Sequence, residues 1–124
     1  MASELRVTTI ANNAGTESVD TTYVINGSAK AWYSMSSWGT ADDSLNVSSI
    51  SDNSAGQTTV TWSNAFASAN YTIAGASSDA DGIVIFSGSG KLAATCDVRH
   101  YGGLAGSAGY VDSSMTATFN GDLA

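Results

Sequence analysis

The sequence predicts an all-β protein: an antiparallel β-sandwich preceded by an extended N-terminal arm. Three observations predict it. Apolar residues recur with period two in run after run, the spacing of a strand with one buried face. Clusters of Gly, Asn, Asp and Ser separate those runs at short intervals, as in sandwiches built from hairpins. No stretch longer than about ten residues carries helical apolar spacing. Size and composition fit this picture. A chain of 124 residues is one domain's worth of polypeptide. Val, Ile, Leu and Phe together make 22 of the 124, and 11 acids against 4 bases leave a net charge of −7. Those two figures alone approach the disordered range. The 3 Trp, 5 Tyr and 3 Phe, set in clean alternation, argue instead for a folded chain. The reading that reconciles them is a thin β fold that completes its core by associating with copies of itself.

Taken in order, Leu5, Val7 and Thr9 alternate with Arg6 and Thr8 in a first short strand. Residues 11–18 read as a loop, and the β-branched run Thr21 to Ile25 as a second strand closed by Asn26-Gly27. Residues 1–28 are therefore assigned to an anchoring or oligomerisation arm, too short and polar to fold alone. The sandwich spans residues 29–124. Its first strand runs from Lys30 to Met35, followed by a polar connection to Asp43. Leu45, Val47 and Ser49 alternate with polar neighbours up to Ile50. Ser51 to Gly56 turns the chain, and Thr58 to Trp62 returns it with Val60 and Trp62 on one face. Two alternating runs around turn residues make a β-hairpin. Tyr71, Ile73 and Gly75 mark another strand, and Asp79 to Gly82 a turn. Ile83 to Phe86 is continuously apolar, which suits a strand buried on both faces. Gly88-Ser89-Gly90 reads as a turn. Leu92, Ala94, Cys96 and Val98 then face one way, with Asp97 and Arg99 opposite. Tyr101 to Gly109 reads as a loop, and Met115, Ala117 and Phe119 as the inward face of a closing strand.

Several function classes are disfavoured. No apolar run approaches the roughly 20 residues of a membrane span, so no membrane insertion is expected. Met1 to Glu4 has no basic start leading into an apolar stretch, so no secretory signal is read. Arg6, Lys30, Lys91 and Arg99 are scattered and the isoelectric point is near 4.1, which disfavours nucleic acid as a partner. Asp79, Asp81 and Gly82 open like a calcium loop, but the twelfth position is Gly90 rather than a bidentate Glu, so no metal is assigned. His100 has no nucleophile elbow to serve, and the two Glu residues both fall in the arm. No catalytic residue and no cofactor are assigned. The lone Cys96 reads as a buried, inert thiol.

What remains is recognition. Trp32, Tyr33, Trp38 and Tyr101 are candidates for an aromatic platform against sugar rings. Trp32, Trp62 and Tyr71 read better as core or subunit-interface residues, because aromatics dominate burial in small cores. Loops at a sandwich end commonly carry binding. The candidate recognition surface is residues 36–43 and 101–112, and the candidate recognition residues are Trp38, Asp42, Asp43, His100, Tyr101 and Tyr110. Leu5, Val7 and Ile10 are the candidate anchoring residues of the arm.

The order of short motifs also resembles a known family. Asn26-Gly27-Ser28-Ala29-Lys30-Ala31-Trp32 is followed by Asn46-Val47-Ser48-Ser49-Ile50-Ser51-Asp52-Asn53, then Ala69-Asn70-Tyr71, then a chain end of Phe119-Asn120-Gly121-Asp122. This series, with the lead-in Glu4 to Ile10, is similar to a small domain common in bacteriophage tail fibres and related virion appendages. Tyr33 to Thr40 departs from it, where family members often carry N-F-x-G-T, and residues 97–112 are individual to this chain. The resemblance implies a non-enzymatic virion structural protein, homotrimeric, assembled in the host cytoplasm and displayed on the particle. It implies an arm docked on other virion proteins and a tail-fibre, receptor-binding role, with a host surface glycan as candidate ligand. The alternatives are a capsid decoration or head-fibre protein, suggested by the short chain without a shaft, and a carbohydrate-binding module.

Overall fold

The computed structural model describes residues 4–77, 82–102 and 109–124, with the side chains of 82–89 outside the description. Two short strands come first, β1 (Thr9–Ala11) and β2 (Ser18–Asp20), paired antiparallel with Ile10 opposite Val19. A seven-residue helix, α1 (Thr21–Gly27), follows directly. Nine strands follow it among the described residues: β3 (Ala31–Met35), β4 (Asp43–Leu45), β5 (Val47–Ser54), β6 (Gln57–Trp62), β7 (Thr72–Ser77), β8 (Gly82–Lys91), β9 (Thr95–Gly102), β10 (Gly109–Tyr110) and β11 (Met115–Asn120). They form two antiparallel sheets. One has the order β10-β9-β6-β5, with β8 also pairing along β9; the other has the order β4-β3-β11-β7.

Period-two alternation decides which side chains face inward. In β3 it buries Ala31, Tyr33 and Met35; in β11, Met115, Ala117 and Phe119. In β6 it buries Thr58, Val60 and Trp62, and in β9 Cys96, Val98 and His100. The apolar members from both sheets belong to one core cluster, joined by Phe66 and Tyr71 from the β6–β7 connection. Trp62 is its hub. Its ring meets Phe119 of the other sheet at 4.7 Å, Phe66 at 5.4 Å and Tyr71 at 6.2 Å, all in edge-on geometry. Phe66 and Tyr71 stack at 4.4 Å. Each such pair adds roughly 0.5–1.5 kcal/mol beyond its area burial, so a few large rings do the work of many aliphatics. Backbone bonds fix the connection that carries two of the rings: Phe66 N–H donates to Ala93 O at 2.9 Å and Ala67 N–H to Asp122 O at 2.8 Å.

Where the chain crosses between sheets, local chemistry sets the corner. Asn46, between β4 and β5, adopts φ 58°, a left-handed conformation that Asn tolerates. Its side chain donates to Asn64 O at 3.0 Å and accepts from Asn64 N–H at 2.7 Å. At the β5–β6 turn, Gly56 has φ +63° and lies against the 110–112 segment. A Cβ there would sit 2.6 Å from both His100 O and Val111 N.

The structure corrects several expectations. Thr21 to Ile25 is helical, not extended, because Asp20 caps α1 by accepting from Thr22 N–H at 2.7 Å. That cap holds the Asp20 carboxyl below its usual range. A local bond of this kind outweighs β propensity over so short a run. Residues 11–18 include the start of strand β2, folded back by Asn12, whose Oδ1 accepts from Thr16 N–H at 3.0 Å. Gly88 to Gly90 lies within β8; the turn falls after Lys91 instead. The expected turn at Asp79 and Asp81 lies outside the described residues, as do the side chains of Ile83 to Phe86.

Gly15 and Gly56 separate conformational strain from crowding. Gly15, in the β1–β2 turn, also has positive φ, +68°, but a Cβ added there would meet nothing within 4 Å. Gly56→Ala is expected to lower the unfolding free energy by roughly 2–5 kcal/mol, from left-handed strain plus overpacking. Gly15→Ala leaves the main urea transition in place. Equal effects of the two would contradict the contact assigned to Gly56.

Candidate functional site

The outward side chains of β9 and β10 build the candidate site. Because Cys96, Val98 and His100 point inward, Asp97, Arg99 and Tyr101 point outward. β10 pairs at the end of β9 with Tyr110 directly opposite Tyr101. Their rings meet edge to face at 5.6 Å. Arg99 brings its guanidinium carbon to 5.8 Å from the Tyr110 ring centre. Gln57 of β6 lies directly across from Arg99. Beyond it runs a polar relay: Thr59 Oγ1 donates to Asp97 Oδ1 at 2.7 Å and accepts from Asn53 Nδ2 at 2.8 Å. The result is a platform on which two perpendicular tyrosine rings, one arginine and several amide and hydroxyl groups lie together. Rings of this kind stack on the apolar face of a sugar, and a planar guanidinium bonds paired oxygens in a fork.

The expected recognition residues separate into two groups. Tyr101 and Tyr110 belong to this platform, on strands rather than in a loop. His100 does not: it is fully buried, which corrects the expectation of a surface role. Its Nδ1 lies 3.0 Å from Val111 O and its Nε2 2.9 Å from Ser77 Oγ. A carbonyl only accepts, so Nδ1 carries a proton, while Nε2 and the serine hydroxyl share the second hydrogen bond. His100 thus ties β9 to the end of β7 and to the 111–114 segment. Trp38 is half-buried, packs on the core and lies 6.2 Å from the His100 ring. It is an inner wall, not a free stacking surface. Asp42 closes its own loop, accepting from Ser36 N–H at 2.6 Å and Ser36 Oγ at 2.9 Å. Asp43 is exposed on β4 and accepts from Ser44 N–H at 2.8 Å. Tyr33 is a core residue whose ring points away from Trp32, so these two share no platform. Trp32 itself is half-buried on the outer face of its sheet rather than in the core.

Arg99, Gln57 and the Asn53–Thr59–Asp97 relay were not singled out by sequence reasoning. The signal was present. Extending the β9 alternation three residues past Val98 places His100 inside and Tyr101 in line with Arg99.

Among the described residues no group of three His, Cys, Asp or Glu side chains is placed to hold a metal ion. Leu5, Val7 and Ile10 of the arm are exposed, and with Arg6, Thr21, Val24 and Ile25 they line a mainly apolar groove of about 460 Å³.

No family model matches the chain, and no curated protein or solved structure is significantly similar to it.

Cys96 is fully buried, and burial pushes its thiol up to about 11. Burial also raises the Tyr33 and Tyr71 phenols. In each case the unfolded chain loses its proton first as pH rises, so stability falls on the alkaline side. The unfolding free energy is expected to stay level until the ordinary thiol range, then fall as pH climbs toward about 11. Cys96→Ala moves the onset up to the tyrosine range. A thiol reagent is expected to label Cys96 only in denaturant; rapid labelling of the native chain at neutral pH would contradict its burial.

Proposed function

We propose that this chain is a non-enzymatic structural protein of a bacteriophage virion, of the tail-fibre and receptor-binding type. In this reading the two sheets form a β-sandwich, three copies assemble as a homotrimer, and residues 1–28 anchor each copy to other virion proteins. The Tyr101–Tyr110–Arg99 platform meets a glycan on the host surface. Weak contacts of single copies become firm attachment when several engage at once.

The observation that carries the reading is the state of the arm. Residues 4–20 and 22–28 are all exposed, yet they include Leu5, Val7, Ile10, Val19, Tyr23, Val24 and Ile25. Among the described residues the main core already holds twelve buried apolar residues without them. Apolar groups gathered around an open groove mark a contact surface. The motif series from Asn26-Gly27-Ser28 to Asn120-Gly121-Asp122 supports the virion assignment. The platform supports a glycan as the ligand, which also fits a free-standing carbohydrate-binding module. Such a module has no use for the arm's apolar groove. A capsid decoration or head-fibre role uses the same arm on a different dock.

Gold-labelled antibody against this chain, applied to phage particles from cells that carry its gene, tests the reading. Label at the tail is expected. Label on the capsid replaces the tail-fibre role with capsid decoration, and particles without label overturn the virion assignment.

A further inference from the structure

The outer face of the β4-β3-β11-β7 sheet has an uneven relief. Direct cross-strand partners lie on the same face, so the pairings place Leu45, Trp32, Thr118 and Ala74 in one row. Asp43, Ser34, Thr116 and Ala76 form the next row. On the β4–β3 side the face stands high, with Leu45 48% exposed beside the half-buried Trp32. On the β11–β7 side it drops into a shallow trough of about 310 Å³, lined by Ala74, Gly75, Ala76, Thr116 and Thr118. Ridge and trough sit side by side on one rigid sheet.

We infer that this face is where copies of the chain meet, the Trp32–Leu45 ridge of one copy seated in the Ala74–Ala76 trough of the next. Two features name a second copy as the occupant. The first is charge. The chain carries −7 overall, so most ways of pressing two copies together bring acids against acids. Across both rows of this face the only ionisable side chain is Asp43, at the β4 margin. The second is shape. Because ridge and trough lie side by side across the strands, two copies turned face to face about an axis along the strands set each ridge opposite the other's trough. A two-fold axis seats each ridge in the other's trough, and a three-fold axis closes the same contact into a ring.

The arm adds continuity. Asn120, at the end of β11, donates to Gly27 O at 3.0 Å, so the root of the arm is tied to one end of this sheet. Copies joined through the face bring their arms together at that end. The inference rests on the oligomeric part of the proposed function and supplies its contact surface.

Light scattering on the full chain tests it. The wild type is expected at a two- or threefold multiple of 12.6 kDa. Thr118→Glu and Ala74→Glu, which put like charges into the contact, are expected to reduce the mass to that of one chain with an unchanged circular dichroism spectrum. Thr118→Ser is expected to keep the assembled mass. Should a Glu variant fail to fold, the pair Leu45→Cys and Ala74→Cys in one chain gives a second measurement. β4 and β7 lie three strand spacings apart, about 14 Å, too far for a disulfide within one chain. Oxidation is therefore expected to yield covalent dimers or closed trimers. Folded Glu variants that keep the assembled mass, or an assembled cysteine pair that stays uncrosslinked, overturn the inference and leave the virion reading standing. A wild type of 12.6 kDa at all concentrations overturns both this inference and the homotrimer.

Discussion

The indole of Trp62 is the constraint on which the fold rests. It projects from β6 and meets Phe119 of the opposite sheet, while Phe66 and Tyr71 close around its other edges. A chain with 22 Val, Ile, Leu and Phe residues has little aliphatic bulk to spend on a core. Large rings compensate, because each buries far more surface than a Val and adds a directional contact. Small residues then become an asset. Ala31 and Ala117 sit fully buried between the rings of the second sheet's inner face, where anything larger would force the rings apart. The scarcity of bulk that suggested a core shared between subunits is met within the chain by five aromatic rings and two methionines.

What was legible in the sequence follows from period. Strands with one buried face repeat every two residues, and β6 and β11 place their inward residues as alternation predicts, whereas β3 buries Ala31, Tyr33 and Met35 and turns Trp32, read as core or subunit interface, to its outer face. The misreadings have a common cause: local contacts that alternation does not encode. The Asp20 cap made a helix out of a β-branched run. The Gly-rich stretch at 88–90 and the residues from Tyr101 onward looked like loops, although β8 runs through the first and β9 continues to Gly102 in the second. Reading a loop from Tyr101 also hid the neighbouring fact that His100 continues the inward series. A buried histidine bonded at both nitrogens looks, in sequence, like any polar residue beside a turn. The platform suffered the same loss, since its members come from four separate strands and only the register of β5, β6, β9 and β10 brings them together.

Structure and proposed role connect through what the core leaves over. With the inner faces of both sheets committed, three surfaces stand out among the described residues: the exposed apolar groups of the arm, the ridge and trough with Asp43 at its margin, and the tyrosine–arginine platform. Each has a different chemistry, and each suits a different partner. Apolar groups of the arm suit a protein dock. The face whose one ionisable side chain is the marginal Asp43 suits a like-charged copy. The platform, with a cation and hydroxyl-bonding groups, suits a polyhydroxylated ligand. A protein that must attach, assemble and adhere at once needs three such surfaces that do not compete, and an acidic remainder that keeps copies apart elsewhere.

Amide hydrogen exchange tests the central claim, that the body folds on its own aromatic core while the arm holds its apolar groups for a partner. In dilute isolated protein, the amides of β3, β6, β9 and β11 are expected to exchange only through global unfolding. Those of residues 4–27 are expected to exchange orders of magnitude faster, and to slow once the chain is assembled on its dock. An arm as protected as the core strands in the dilute isolated chain would contradict the account.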